Sequence, residues 1–249
     1  MHPNANLDRG VEIGPYCVIG ENVAIARGTV LHSHVVVNGW TTIGEDCQIY
    51  PHCAIGGASQ DKKYQGERSF TRIGNRTVIR EYVSVNRATG EDQATIVGND
   101  CLFLAYVHIA HNCVIGDEVT MSNLAQLAGH CIIDRHAVIG AMAGLHQFTR
   151  VGEYAMVGGA SKVTRDVPPF FLVEGNPATP YGLNSVGLRR ADFSNDDRME
   201  IKRFYKLLYG SKLNLSQAID AMRSEVATDS GREIIEFLEE ESQRGIILK

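Results

Sequence analysis

The chain has nine histidines among its 249 residues, and five of them fall between residues 108 and 146, among them His108, His111, His130 and His146. His108 and His111 stand three apart inside "HIAHNCVIG". Neutral imidazole accepts a proton near pH 7, so such a cluster suits a general base acting on a hydroxyl. Imidazole is equally the common ligand of zinc, and three of them leave one position open for water. A polar surface or subunit contact without chemistry is a third reading. What separates the three is how the surrounding residues hold the rings.

Those residues repeat every six. From Ile13 the chain reads IGPYCV, IGENVA, IARGTV and later IGNRTV, VGNDCL, IAHNCV and IGDEVT. Position 1 is nearly always Ile, Val or Leu, position 2 is often Gly, and position 5 is mostly small. Between Ile13 and Val163 the first positions keep one remainder on division by six. Units so short cannot bury a face alone and must stack. Branched and small residues in alternation suit the interior of a narrow prism, and glycine at position 2 suggests a tight backbone path at each corner. Three hexads close one coil of 18 residues, with coils ~4.8 Å apart. The pattern resembles the hexapeptide-repeat family. That resemblance implies a left-handed coil, against the usual right-handed crossover preference. The expected class is mainly β: a left-handed parallel β-helix over 1–176, followed by a connection and α-helical domain over 177–249.

Residues 18 apart share a column. His111, Gly129 and Gln147 therefore line up on one face, and Ala141 and Gly159 on a neighbouring one. His108 sits near a corner, His130 follows Gly129, and His146 precedes Gln147. Positions 2, 3, 4 and 6 point outward, so these histidines border a glycine column with room for something thin. The smooth outer wall of a prism also invites association. Two segments break the composition, "DKKYQGERSFTR" (61–72) and "RATGEDQAT" (87–95). Each is expected to be a loop thrown out from a rigid scaffold, a common home for function.

All six cysteines fall at position 5, which makes them small interior residues of a reduced protein rather than disulfide or metal partners. A net charge of −5 and the lack of a basic tract argue against nucleic-acid binding. The first residues show no signal-peptide pattern, and runs such as "CLFLAYV" are far short of a membrane span. A cytoplasmic protein is expected. Beyond residue 168 the repeat ends. "SNDDRMEIKRFYKLLYG" reads as a helix capped by Ser194 and stopped by Gly210, and "LSQAIDAMRSEV" and "SGREIIEFLEEESQRG" as two more.

The ordered motifs "SHVVVNG", "QDKKYQGE", "HIAHNC", "LAGH", "GLHQF", "DVPPF", "GNPATPYGLN" and "GLRR" resemble those of the acyl-ACP–UDP-N-acetylglucosamine O-acyltransferases along essentially the whole chain. The resemblance implies transfer of an (R)-3-hydroxyacyl group from acyl carrier protein to the 3-hydroxyl of UDP-N-acetylglucosamine, the first step of lipid A synthesis. It also implies a homotrimer with sites between subunits, and no metal or other cofactor. His111 would be the general base and the Ala141 N–H the oxyanion donor. Asp61 and Lys63 would contact the sugar and phosphates, and His108, Gly129 and His130 would line the sugar and acyl site. His146 and Gln147 would meet the nucleotide sugar, and Asn184 and Arg190 its uridine and phosphate end. Gly159 would end the acyl groove. The basic tail residues Arg203 and Lys206 could face the acidic carrier protein. Asn112 stands where the family often has aspartate. A 3-amino UDP-sugar acceptor and a trimeric zinc hydratase of the gamma-carbonic-anhydrase type are the alternatives.

Overall fold

The computed structural model describes residues 1–248, so Lys249, the last residue of the expected tail, lies outside it. Its framework is a three-sided, left-handed parallel β-helix made of sheets of eight, ten and eight strands. Most strands are two residues long, and each pairs with the strand one coil on, as His108 does with Gln126 and Ile109 with Leu127. Position-1 side chains such as Ile55, Ile79, Ile109 and Ile139 are fully buried. Burying each contributes roughly 1.5–3 kcal/mol. The position-5 cysteines Cys47, Cys53, Cys101, Cys113 and Cys131 are buried with them, and Cys17 is partly so; all six are free thiols.

The left-handed corner residue is position 4, not position 2. Tyr16, His34, His52, Tyr82, Tyr106, Asn112, His130 and Phe148 all carry φ near +60°. That conformation costs a non-glycine residue roughly 1–2 kcal/mol, which the ladder and the buried rows must offset. The position-2 glycines are needed for another reason. A Cβ at Gly74 would lie 2.5 Å from the backbone of Gly98 in the next coil. Glycine there permits close approach of coils, which corrects the expectation of a tight turn at that position.

Both irregular segments leave the prism. Residues 58–69 loop out before the strand Phe70–Ile73, and residues 87–93 before Ala94–Val97. Phe70 consequently pairs with Trp40 rather than His52, and Ala94 pairs with Phe70 rather than Arg76. The excess lengths are two hexads and one hexad, so the remainder on division by six survives both loops. The first loop is shifted toward lower numbers than its composition suggested and the second ends two residues earlier, because Phe70–Arg72 and Ala94–Thr95 rejoin the sheet.

The hairpin of Phe171–Gly175 and Ala178–Leu183 continues the ten-stranded sheet across residue 176. Four helices follow: α1 (Ser185–Arg190), α2 (Asn195–Tyr209), α3 (Leu215–Glu225) and α4 (Asp229–Glu239). Ser194 and Gly210 cap α2 as its composition suggests. The tail is fastened to the prism by Phe171 against Tyr205 and Tyr209, and by Arg150, which lies over Phe237 and pairs with Glu240. Arg203 is engaged within the tail by Glu200 and Glu225, which leaves Lys206 the more available of the two basic residues named above.

Candidate active site

Three consecutive coils bring His111–Asn112, Gly129–His130 and Gln147–Phe148 to one corner. His130 N donates to His111 O at 3.0 Å, and Phe148 N to Gly129 O at 3.1 Å. The His130 ring stacks on Phe148 and meets His111 edge-on, with ring centroids 4.6 and 5.2 Å apart. Gly129 leaves the space that His111 occupies: a Cβ there would fall 2.5 Å from His111 Nε2. The Gly129 N–H has no acceptor among the described residues. A free backbone donor thus belongs to the residue packed against the imidazole, and a developing oxyanion needs such a donor.

The first loop supplies the other wall. Asp61 Oδ2 lies 3.9 Å from His111 Nε2, and Asp61 Oδ1 accepts from Lys63 N at 2.9 Å. The loops brace each other: Arg87 Nε donates to the Tyr64 hydroxyl at 2.9 Å, and Gly90 N to Glu67 Oε1 at 2.7 Å. The Gly90 amide, and then that of Gln65, which donates to Glu67 Oε2 at 2.7 Å, hold the Glu67 carboxyl below its ordinary range. His108 shares a 2.8 Å hydrogen bond through Nδ1 with Ser84 Oγ. Burial, then the proximity of His111, pushes the His108 imidazole toward its neutral form, and His130 likewise. Two neutral rings can donate and accept hydrogen bonds where charged ones could only donate. Among the described residues, no three His, Cys, Asp or Glu side chains are grouped to hold a metal ion.

With that geometry in place, the similarity to known proteins is specific. The acyl-ACP–UDP-N-acetylglucosamine O-acyltransferase of Thermodesulfovibrio yellowstonii is 49% identical over 249 residues, covering 99% of this chain and 96% of the relative. The chain belongs to the acyl-ACP–UDP-N-acetylglucosamine O-acyltransferase family. A relative from Herminiimonas arsenicoxydans with the same name is 44% identical over 253 residues, covering 99% and 96%. A family model described as UDP N-acetylglucosamine O-acyltransferase, domain 2, matches residues 166–247. The LpxA structure from Acinetobacter baumannii superposes with a TM-score of 0.96 at 40% identity, covering 99% of this chain and 96% of that one. The Francisella novicida UDP-N-acetylglucosamine acyltransferase gives 0.96 at 35%, covering 100% and 91%.

Of the other residues that the O-acyltransferase resemblance singles out, some share this corner and some lie away from it. His146 and Gln147 are exposed on the coil above His130. Ala141 and Gly159 stack on a different corner column; a Gly159 Cβ would be 3.3 Å from Ala141 O. One chain therefore does not bring the Ala141 amide to His111, because the two occupy different corners of the triangle. Within the chain the backbone packed against the His111 ring is that of Gly129, so a donor at Ala141 would have to come from a second copy. Asn184 is 5% exposed; its amide caps α1 at Gly187 N and donates to Tyr154 O. Its use in this structure is to fix α1, which carries the exposed Arg190 in its last turn. The sequence reading did not find Thr89, Ser59, Tyr64 or Arg87. All lie in or beside the two looped-out segments, where the repeat gives no coordinates.

Proposed function

We propose that this protein transfers an (R)-3-hydroxyacyl group from acyl carrier protein to the 3-hydroxyl of UDP-N-acetylglucosamine, the first step of lipid A biosynthesis. The observation that carries the reading is the His111 ring packed against Gly129 at an outer corner of the prism, with the Asp61 carboxylate 3.9 Å from its Nε2. Nε2 takes the hydroxyl proton as the sugar oxygen attacks the thioester carbonyl. The tetrahedral oxyanion accepts a hydrogen bond from Gly129 N–H. Collapse breaks the carbon–sulfur bond, and the imidazolium returns its proton to the departing thiolate. Asp61, His108, His130, His146 and Gln147 orient the sugar through hydrogen bonds. Lys63 and Arg190 meet the phosphates with charge-assisted ones.

The working form is a homotrimer. A ridge of stacked rings, Tyr16, His34, His52, Tyr82 and Tyr106, runs along one corner at 4.8–4.9 Å spacing and continues into exposed Leu124 and Met142. Exposed apolar surface of this extent supports association. A neighbouring copy can bring its Ala141–Gly159 corner to the His111 corner, which no single chain does. No helix among the described residues is long and apolar enough to cross a membrane, and the buried free thiols fit the cytoplasm.

The test offers 3-hydroxyacyl carrier proteins with UDP-N-acetylglucosamine or its 3-amino analogue to the trimer, with and without prolonged chelation. The expected product is the 3-O ester, formed at the same rate after chelation. Exclusive amide formation would move the assignment to the amino sugar. Absence of transfer together with stoichiometric zinc would replace it by the hydratase.

A further inference from the structure

Asn112 occupies the corner position next to His111, with φ 59°. Its Oδ1 lies 2.9 Å from His111 Nδ1. An asparagine amide can be turned either way, so the partners on its other side decide which atom faces the ring. Here they are the backbone groups of Thr89, in the second loop. Thr89 N donates to Oδ1 at 2.9 Å, and Asn112 Nδ2 donates to Thr89 O at 3.1 Å. A peptide N–H can only donate and a carbonyl can only accept. The orientation is therefore forced, with the oxygen toward His111. That oxygen accepts two hydrogen bonds, and Nδ1 must carry the proton of the second.

The same residue reaches the other side of the ring. The Thr89 hydroxyl is 2.7 Å from Ser59 Oγ, which accepts from Asp61 N at 3.2 Å. Thr89 thus ties together the groups that face the two nitrogens of His111. Asp61 lies toward Nε2 and the His130 ring edge-on. The His108 ring and the Lys63 ammonium are the remaining titratable neighbours of this corner.

We propose that Asn112, pinned by the backbone of Thr89, is the positioning residue that holds His111 as its Nδ1–H tautomer and leaves Nε2 as the proton acceptor, without adding a charge. The proposal rests on the reading of His111 as the base. Which nitrogen carries the proton is set by the hydrogen bond the other ring atom makes. A carboxylate at this place would also stabilise the imidazolium. An amide fixes the tautomer alone.

The experiment records long-range proton–nitrogen spectra of the 15N-labelled trimer, with His111→Ala identifying the His111 signals, beside pH profiles of kcat/KM. Asn112→Gly removes the amide where the backbone is left-handed, a conformation glycine adopts at no cost and already takes at the corner position Gly28. Wild type should show Nδ1 protonated and Nε2 bare. Asn112→Gly should move the proton toward Nε2 and lower kcat/KM on the order of 10²-fold, within the range a general base supplies. Asn112→Asp should keep the tautomer, recover most of the activity, and move the acid limb up by about one pH unit, because a nearby anion favours the imidazolium. A wild-type His111 protonated on Nε2, an Asn112→Gly variant with unchanged tautomer and rate, or an Asn112→Asp variant with an unmoved acid limb would overturn the proposal. Retained turnover in His111→Ala would overturn the base reading instead, whatever the spectra show.

Discussion

Gly129 is packed against the ring edge of His111 so closely that a methyl group there would lie 2.5 Å from Nε2 and from Cε1. The backbone at Gly129 is not left-handed, so alanine fits its φ. The added carbon must push the imidazole. Gly129→Ala is expected to fold and assemble normally and to lose at least about 10-fold in kcat, since small misplacements of a reacting group are costly. Turnover and thermal melting of the same preparation check both halves.

Gly159 and Ala141 form the outer wall of a second corner, one coil apart, and Gly159 is exposed. A side chain at 159 projects outward into any groove that passes between copies. Gly159→Met is expected to shift preference toward shorter acyl chains, with turnover of long-chain carrier protein falling on the order of 10-fold or more, the cost of a few methylenes denied burial. Competition between acyl carrier proteins of two chain lengths measures it. An unchanged ratio would remove Gly159 from the acyl site.

The join between prism and tail carries a pH dependence of its own. Burial pushes the Asp134 carboxyl up from 3.8 to about 6, against the pull of Arg150 and with the carboxylates of Glu240 and Glu153 adding to it. The native state then holds more protons than the unfolded chain between those values, so stability falls as pH rises through the window and levels off above it. Asp134→Asn should flatten that slope and raise Tm by a few degrees at pH 7 while changing little below pH 4. Melting curves across pH 4–8 give the answer.

The fold was legible because side-chain periodicity and strand register share one count. The branched rows that include Ile109 and Ile139, the cysteines at position 5 and the caps Ser194 and Gly210 all take the places their spacing implies. The corner chemistry was harder to read. Asn, Asp, His and aromatic residues at position 4 tolerate or are held in the left-handed region, yet they look like ordinary surface in the sequence. The looped segments were visible only as odd composition. Their lengths, in whole hexads, left the count undisturbed and so concealed that Phe70 returns to Trp40. For the same reason the contacts of Thr89 with Asn112, and through Ser59 with Asp61, had no signature. The column count already put Gly129 on the face of His111 and Ala141 on a neighbouring one; the count describes one chain and says nothing of which corner of a second copy meets His111.

Turnover of His111→Ala with saturating 3-hydroxyacyl carrier protein and UDP-N-acetylglucosamine, followed by mass of the ester product, bears most directly on this account. The side chain points outward and no core volume is lost, so trimer and Tm should match wild type while kcat falls by about 10²–10⁴. An intact trimer that still makes the ester at close to the wild-type rate would contradict it.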